Sequence, residues 1–342
     1  MKHFRTLLFR TLPLLALSIA GCWSDDEPRV VVYTALDQEF SAVMFEEYKQ
    51  QTGVRVDVRY DTESTKSVGL AERIIAEADL PRCDVHWNNE ILHTLRLEKL
   101  GLLQPYHSPR AEEYPAEYRS PDGYWYGFAA RARILIVNTD LVSVEERPTS
   151  IYDLGSEKWR GRTGIAKPLF GTTATHAACL FAKLGEQRAK EFFHGLKANN
   201  VRILGGNRHV AREVAVGKLA FGLTDTDDAM VEIEAGSPVV IVYPDQHDDG
   251  LGTLFIPNTL AIIKDCPHVD EARRLIDHLL SAEVESALAA GRSAQIPLGK
   301  NAKPQTRVKT PAEVKAMSVD FYQAAEQWET ARRFIADEFT AP

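Results

Sequence analysis

The chain has 342 residues, of which 44% are hydrophobic, 26% charged and 9% aromatic, proportions that exclude a disordered tail, a collagen-like fibre or a polytopic membrane protein. Forty Lys+Arg against 48 Asp+Glu give a formal net charge of −8 with no basic block. That argues against nucleic acid as a partner, because phosphate neutralisation needs a clustered cationic surface.

Residues 1–21 read as an export signal. Lys2, Arg5 and Arg10 give the positive start, and residues 12–20 give an apolar run. The run falls short of the roughly 20 apolar residues that span a bilayer. It closes on Ile19-Ala20-Gly21-Cys22, similar to a bacterial lipobox, so Cys22 is expected to be lipidated and to provide the only membrane attachment. A plain secretory signal with an incidental cysteine is the alternative. Residues 22–28 form a polar tether. Removing three basic residues leaves 37 against 48 acidic ones, a mature charge of −11. In an oxidising compartment Cys83 and Cys266 can pair and leave Cys179 free, or all three can be buried thiols.

The apolar, β-branched stretch 29–34 predicts a buried strand. Phe40, Val43, Met44 and Tyr48 have helical spacing over 40–51, which ends before Gly53. Residues 54–60 alternate as a half-buried strand, 67–78 form an amphipathic helix, and 83–87 another strand. This alternation predicts a parallel sheet with covering helices. A second unit follows, with strands over 132–137, 163–166, 201–204, 219–224 and 239–243. Its helices are expected from Gly171 to Leu184, over 210–216 and over 229–234. A long apolar segment, 254–263, precedes helices at 270–280 and 282–290, and a final amphipathic helix is expected over 311–339. Two α/β units without a Gly/Ser/Pro linker imply lobes joined by crossing strands, with a ligand between them at strand C-termini and helix N-termini.

Several residues at those termini carry chemistry. Gly171-Thr172-Thr173-Ala174-Thr175 opens a helix with hydroxyls and free backbone N–H groups, either an anion cradle or an ordinary N-cap. Arg131 and Arg133 alternate on one strand face and offer a bidentate guanidinium or an interlobe salt bridge. Asn207-Arg208 is a weaker anion candidate. Asp37, Asp227 and Asp228, with Asn88, Asn89 and Glu90, lie at other strand-to-helix turns. The run Asp225-Thr226-Asp227-Asp228 stacks more charge than capping needs and suits a cation, an ammonium or several hydroxyls. Trp87, Tyr124, Trp125, Tyr126 and Phe128 either wall the cleft or pack in the core. The Asp245, His247, Asp248, Asp249 group reads as a solvated loop. No His-Glu-x-x-His or Gly-x-Ser-x-Gly motif supports an enzyme.

Val31-Val32-Tyr33-Thr34 with Gln51-Thr52-Gly53-Val54, Arg131-Ala132-Arg133 leading to Asn138-Thr139-Asp140-Leu141, Trp159-Arg160-Gly161-Arg162, and Leu196-Lys197-Ala198-Asn199 resemble the ferric-iron-binding-like family, substrate-binding proteins of bacterial ABC importers. The resemblance runs from about residue 29 to the end. It implies an α/β, two-lobe class II periplasmic-binding-protein fold, each lobe a mixed sheet with flanking helices, with two crossing strands and hinge closure. The divisions expected are 29–130 for the first part of lobe 1, 131–250 for lobe 2, and 251–342 for the return to lobe 1 and the C-terminal helices. The expected setting is the periplasm or cell envelope, as a monomer delivering a small molecule to permease and ATPase subunits. The family's iron binders use two adjacent tyrosines, a histidine and a glutamate; the resemblance puts Asp227 and Asp228, Asp37, and Asn89 or Glu90 at those positions. The leading expectation is a phosphonate or phosphorylated solute with an amine or polyol end. Thr172, Thr173, Thr175, Asn207 and Arg131 or Arg133 hold its anion, and Asp37, Asn89, Glu90, Asp227 and Asp228 its other end. The alternative is Fe(III) or another hard cation on Asp37, Asp227 and Asp228, with a synergistic anion on the threonine turn. No resident cofactor is expected.

Overall fold

A computed structural model describes residues 27–61, 67–303 and 305–339. The export signal, Cys22 and most of the 22–28 tether lie outside the described residues.

The first unit alternates strand and helix: β1 (Arg29–Thr34), α1 (Gln38–Thr52), β2 (Arg55–Tyr60), α2 (Val68–Ala76), β3 (Val85–Asn88), α3 (Leu92–Lys99) and the short β4 (Leu103–Gln104). β1 pairs in parallel with β2 and β3, as the βαβ pattern requires. Gly53, at φ +73°, ends α1 and returns its N–H to the Lys49 carbonyl at 2.8 Å.

The middle of the chain supplies β5 (Tyr126–Asn138), β6 (Thr163–Ala166), α4 (Gly171–Leu184), α5 (Glu186–Ala198), β7 (Arg202–Leu204), α6 (Asn207–Ala215), β8 (Phe221–Asp225), α7 (Thr226–Glu234) and β9 (Val239–Val242). The chain then returns through β10 (Phe255–Ile263), α8 (Val269–Leu279), α9 (Ala282–Ala290) and α10 (Phe321–Phe339).

The strands run in the order β2-β1-β3-β10-β5-β8-β6-β7, with β4 on β10 and β9 on β5. β5 makes this two sheets rather than one. Its residues Tyr126 to Ala132 pair antiparallel with β10, whereas Arg133 to Val137 pair antiparallel with β8. The 132–137 expectation caught only the second half of β5. Tyr126-Gly127-Phe128-Ala129-Ala130-Arg131 carries no β-branched run and becomes strand through its pairing with β10. Pro257, which has no N–H to donate, sits where the β5–β10 register shifts. α10 packs on both α3 and α4, so it straddles the two halves. The fold is the mixed α/β, two-lobed arrangement expected, with β10 the antiparallel member of the first sheet.

Two expectations are corrected. The last helix begins at Phe321, not at 311. Before it, Thr253 exchanges backbone hydrogen bonds with Lys315 (2.9 Å) and Met317 (2.8 Å), and the Asp320 carboxylate accepts from the N–H groups of Tyr322 and Gln323 to start the helix. Asp245 is not solvated but buried, accepting from the Ser150 hydroxyl and the Ile151 N–H; His247, Asp248 and Asp249 are exposed. Of the two readings of the cysteines, the structure has the buried thiols: Cys83, Cys179 and Cys266 are free, and burial pushes all three above their ordinary pKa. Of the aromatics, Trp87, Trp125, Tyr126 and Phe128 are core residues, with Trp87 packed against Phe45 and Phe128. Among the described residues, no helix is long and apolar enough to cross a membrane.

His86, His93 and His176 are buried at the strand and helix positions that meet this core. Burial holds all three below the ordinary imidazole range, His86 at about 3. The native protein therefore disfavours their protonation, while the unfolded chain protonates them near 6.5, so stability falls as pH drops below that value. For His86, held at about 3, the slope approaches about 1.4 kcal/mol per pH unit once the unfolded imidazole is protonated. Urea unfolding followed from pH 6.5 to 5 should show this loss, and a flat profile would contradict it.

Candidate functional site

Five strands deliver their following residues to one seam: Asp37 after β1, Asn89 after β3, Lys167 after β6, Gly205 to Asn207 after β7, and Asp225 to Asp228 at and beyond the end of β8. With Arg131 of β5 and Gly171 to Thr173 of α4, they line a cavity of about 30 Å³. Contacts across the seam keep it narrow. Arg208 of α6 pairs with Glu39 of α1 at 2.6 Å, and the Thr175 hydroxyl of α4 donates to Glu90 at 2.9 Å.

Four helices begin at this cavity, and they differ in charge. α1 starts with Asp37 as its N-cap and Glu39 in its first turn, and α7 has Asp227 and Asp228 in its first turn. Their positive ends are answered from within the chain. α4 and α6 have no acidic residue in their first turns. Their unfilled N–H groups and dipoles face the cavity from one side. Gly171, at φ +55°, turns the chain into α4, and a side chain there would be strained although nothing lies within 4 Å of its Cβ position.

Between these walls lie two buried arginines. Arg131 lines the cavity within ion-pair distance of Asp227 (3.3 Å), and its Nη atoms donate to the Asn89 carbonyl and the Asn258 side chain. Burial opposes its charge, but Asp227, Asp225, Asp228 and Asp37 outweigh that and hold its pKa above the ordinary value. Arg133, fully buried, is behind the wall. It donates to Asp225 at 2.6 Å, to the Thr173 hydroxyl at 3.2 Å and to Asn207 at 3.0 Å. Thr172 donates to the other Asp225 oxygen at 2.5 Å, and the Asn207 amide joins them at 3.0 Å.

Of the predicted site residues, Asp37, Asn89, Arg131, Thr172, Thr173, Asn207, Asp227 and Asp228 line the cavity. Three do not. Arg133 is committed to Asp225, while Glu90 accepts the N–H groups of Leu92 and His93 at the start of α3 and the hydroxyl of Thr175, so Glu90 and Thr175 serve each other. The threonine turn is also less open than expected, because the hydroxyls of Thr172 and Thr173 already donate to Asp225 and Asn207. Its backbone N–H groups are what remain for an anion.

Lys167, in the lining, escaped the sequence reading, and Asp225 entered it only as part of the acidic run and not as a site residue of its own. Asp225 ends β8 in the acidic run and, rather than Asp37, completes the group with Asp227 and Asp228, whose carboxylate oxygens lie within 4.8 Å of one another. Lys167 follows β6 directly, a position visible in the sequence once that strand is placed. Asn89 is 3% exposed and, among the described residues, its Oδ1 has no hydrogen-bond partner. Among the described residues the lining contains no tyrosine, histidine or cysteine.

Two sheets sharing a strand, with a polar cavity in their seam, are the architecture of a two-lobed binding protein. The family model for bacterial extracellular solute-binding proteins matches residues 94–325, more than half of the chain, and the chain belongs to that family. It is 27% identical over 274 residues to iron uptake protein A1 of Synechocystis sp., covering 77% of this chain and 74% of that protein. Iron-bound HitA from Pseudomonas aeruginosa superposes with a TM-score of 0.81 at 23% identity, over 90% of this chain and 99% of that one. AfuA from Actinobacillus pleuropneumoniae, with fructose 6-phosphate bound, also gives 0.81, at 22% identity over 92% and 100%.

The Arg133–Asp225 pair is predicted to hold α4, α6 and β8 together. Arg133→Met leaves Asp225 buried without its cation and should cost about 3–5 kcal/mol in denaturant unfolding. Adding Asp225→Asn to that variant should recover a large part. Equal stability of Arg133→Met and the parent protein would contradict this role.

Proposed function

We propose that the protein is the cargo-binding component of an ABC importer and that its cargo is a small phosphorylated or phosphonate solute with a polyol or amine end. The observation that carries this reading is the contrast between helix starts. α4 and α6 face the cavity with no acid of their own, and α1 and α7 face it with Asp37, Asp227 and Asp228. A phosphoryl group matches the first wall. Hydroxyls or an ammonium match the carboxylates and the unpartnered Asn89 Oδ1 of the second. A relative from Sinorhizobium fredii, 26% identical over 259 residues, is named a probable ABC transporter periplasmic-binding protein, which supports permease and ATPase subunits as partners. We place the protein in the periplasm or cell envelope as a monomer, held there by a lipid on Cys22.

A second reading is a hard cation, Fe(III) foremost. It is favoured by the oxygens of Asp225, Asp227 and Asp228 within 4.8 Å and by relatives named for iron. The folds of HitA and AfuA match equally well, so fold similarity does not choose between them. The absence of any phenol from the described lining weighs against iron. One of the carboxylates, Asp225, is already answered by Arg133.

Calorimetry with fructose 6-phosphate and with 2-aminoethylphosphonate, in EDTA, separates the readings. The organic solute reading predicts binding of at least one of them, weakened about ten-fold or more by Asp228→Asn. Failure of both, with tight binding of ferric iron that Asp227→Asn abolishes, would establish the second reading instead.

A further inference from the structure

We propose that Lys167 sets the charge of the cargo, selecting a dianionic phosphoryl group over a monoanion. The inference rests on the phosphoryl reading and goes beyond it by naming the ionic form and the residue that chooses it.

Among the described residues the other cations at the cleft are already matched. Arg131 lies 3.3 Å from Asp227, Arg133 lies 2.6 Å from Asp225, and Arg208 lies 2.6 Å from Glu39. Lys167 differs. It is half-buried in the lining, and among the described residues its ammonium makes no ion pair, hydrogen bond or ring contact. Its backbone is fixed, because its N–H donates to the Leu204 carbonyl at 2.8 Å where β6 and β7 end side by side. From there it shares the lining with Gly171 at the start of α4 and with Gly205, Gly206 and Asn207 at the start of α6. A Cβ at Gly205 would meet only His209 Nδ1, at 3.7 Å, so the backbone at the start of α6 is open to close approach.

The charges on this wall give the selectivity. Each helix N-terminus is equivalent to roughly half a positive charge, so α4 and α6 together contribute about one unit. The Lys167 ammonium adds another, for a total of about +2. A phosphoryl monoester carries about −1.5 to −2 at neutral pH, whereas a phosphodiester or carboxylate carries only about −1. The Arg133–Asp225 and Arg131–Asp227 pairs are each balanced and alter neither side of this sum, and Asp37 and Asp228 belong to the facing wall, which the cargo's hydroxyl or amine end answers. A monoanion leaves one positive charge half-buried and unanswered, which penalises it.

The test uses inorganic phosphate and dimethyl phosphate at pH 7.5, titrated calorimetrically into the intact protein, Lys167→Gln and Lys167→Arg. The parent protein should bind phosphate about ten-fold or more tightly than dimethyl phosphate. Lys167→Gln should weaken phosphate by a similar factor and bring the two anions level, and Lys167→Arg should restore the preference. Thermal unfolding midpoints matching the parent's would show that both variants are folded, as a half-exposed position allows. Unchanged phosphate affinity in Lys167→Gln would overturn the role of Lys167 and leave the phosphoryl reading standing. If the parent binds neither inorganic phosphate nor fructose 6-phosphate, the phosphoryl reading fails, and this inference with it.

Discussion

A guanidinium with no exposure to water has to be answered inside the protein, and Arg133 is answered by Asp225. The pair sits where β5 leaves one sheet for the other, directly across the Arg133–Asp225 strand register. Through Thr172, Thr173 and Asn207 it fixes the starts of α4 and α6 beside each other. The distance between two open helix N-termini is therefore set by a buried ion pair rather than by loops. A solute held between them meets a wall whose geometry is settled before it arrives.

The same arrangement divides the cleft by charge. Helices that start with aspartates present oxygen acceptors, and helices that start with glycine or asparagine present donors. Arg131 of β5 joins the acceptor groups of the two lobes, donating to the Asn89 carbonyl after β3 and lying within ion-pair distance of Asp227 at the start of α7. Glu39–Arg208 and Glu90–Thr175 make further links between the lobes. Kinship with iron-binding proteins explains the scaffold, while the cargo depends on side chains that the scaffold does not dictate.

The scaffold was legible in the sequence because β-branched runs and helical spacing coincide with the elements: 29–34, 163–166 and 282–290 fall on β1, β6 and α9. Asp37, Asp227 and Asp228 were legible as candidates because they follow strands and precede helices. What the sequence hid was pairing. Thr175 and Glu90 are 85 residues apart and meet only through tertiary packing, and Arg133 looks identical to Arg131 until β8 places Asp225 beside it. Residues 126–131 were illegible as strand for the same reason, since β10 supplies the partner. Lys167 carries no motif, and its meaning depends on the absence of a counter-ion, which no sequence displays.

The most direct measurement is a crystal structure of the protein with the cargo it retains on purification. The predicted result is an oxyanion between the first-turn N–H groups of α4 and α6, near Lys167, with hydroxyl or amine groups of the same molecule on Asp227, Asp228 and Asn89. A metal ion held by Asp225, Asp227 and Asp228, with nothing on the α4–α6 wall, would contradict it.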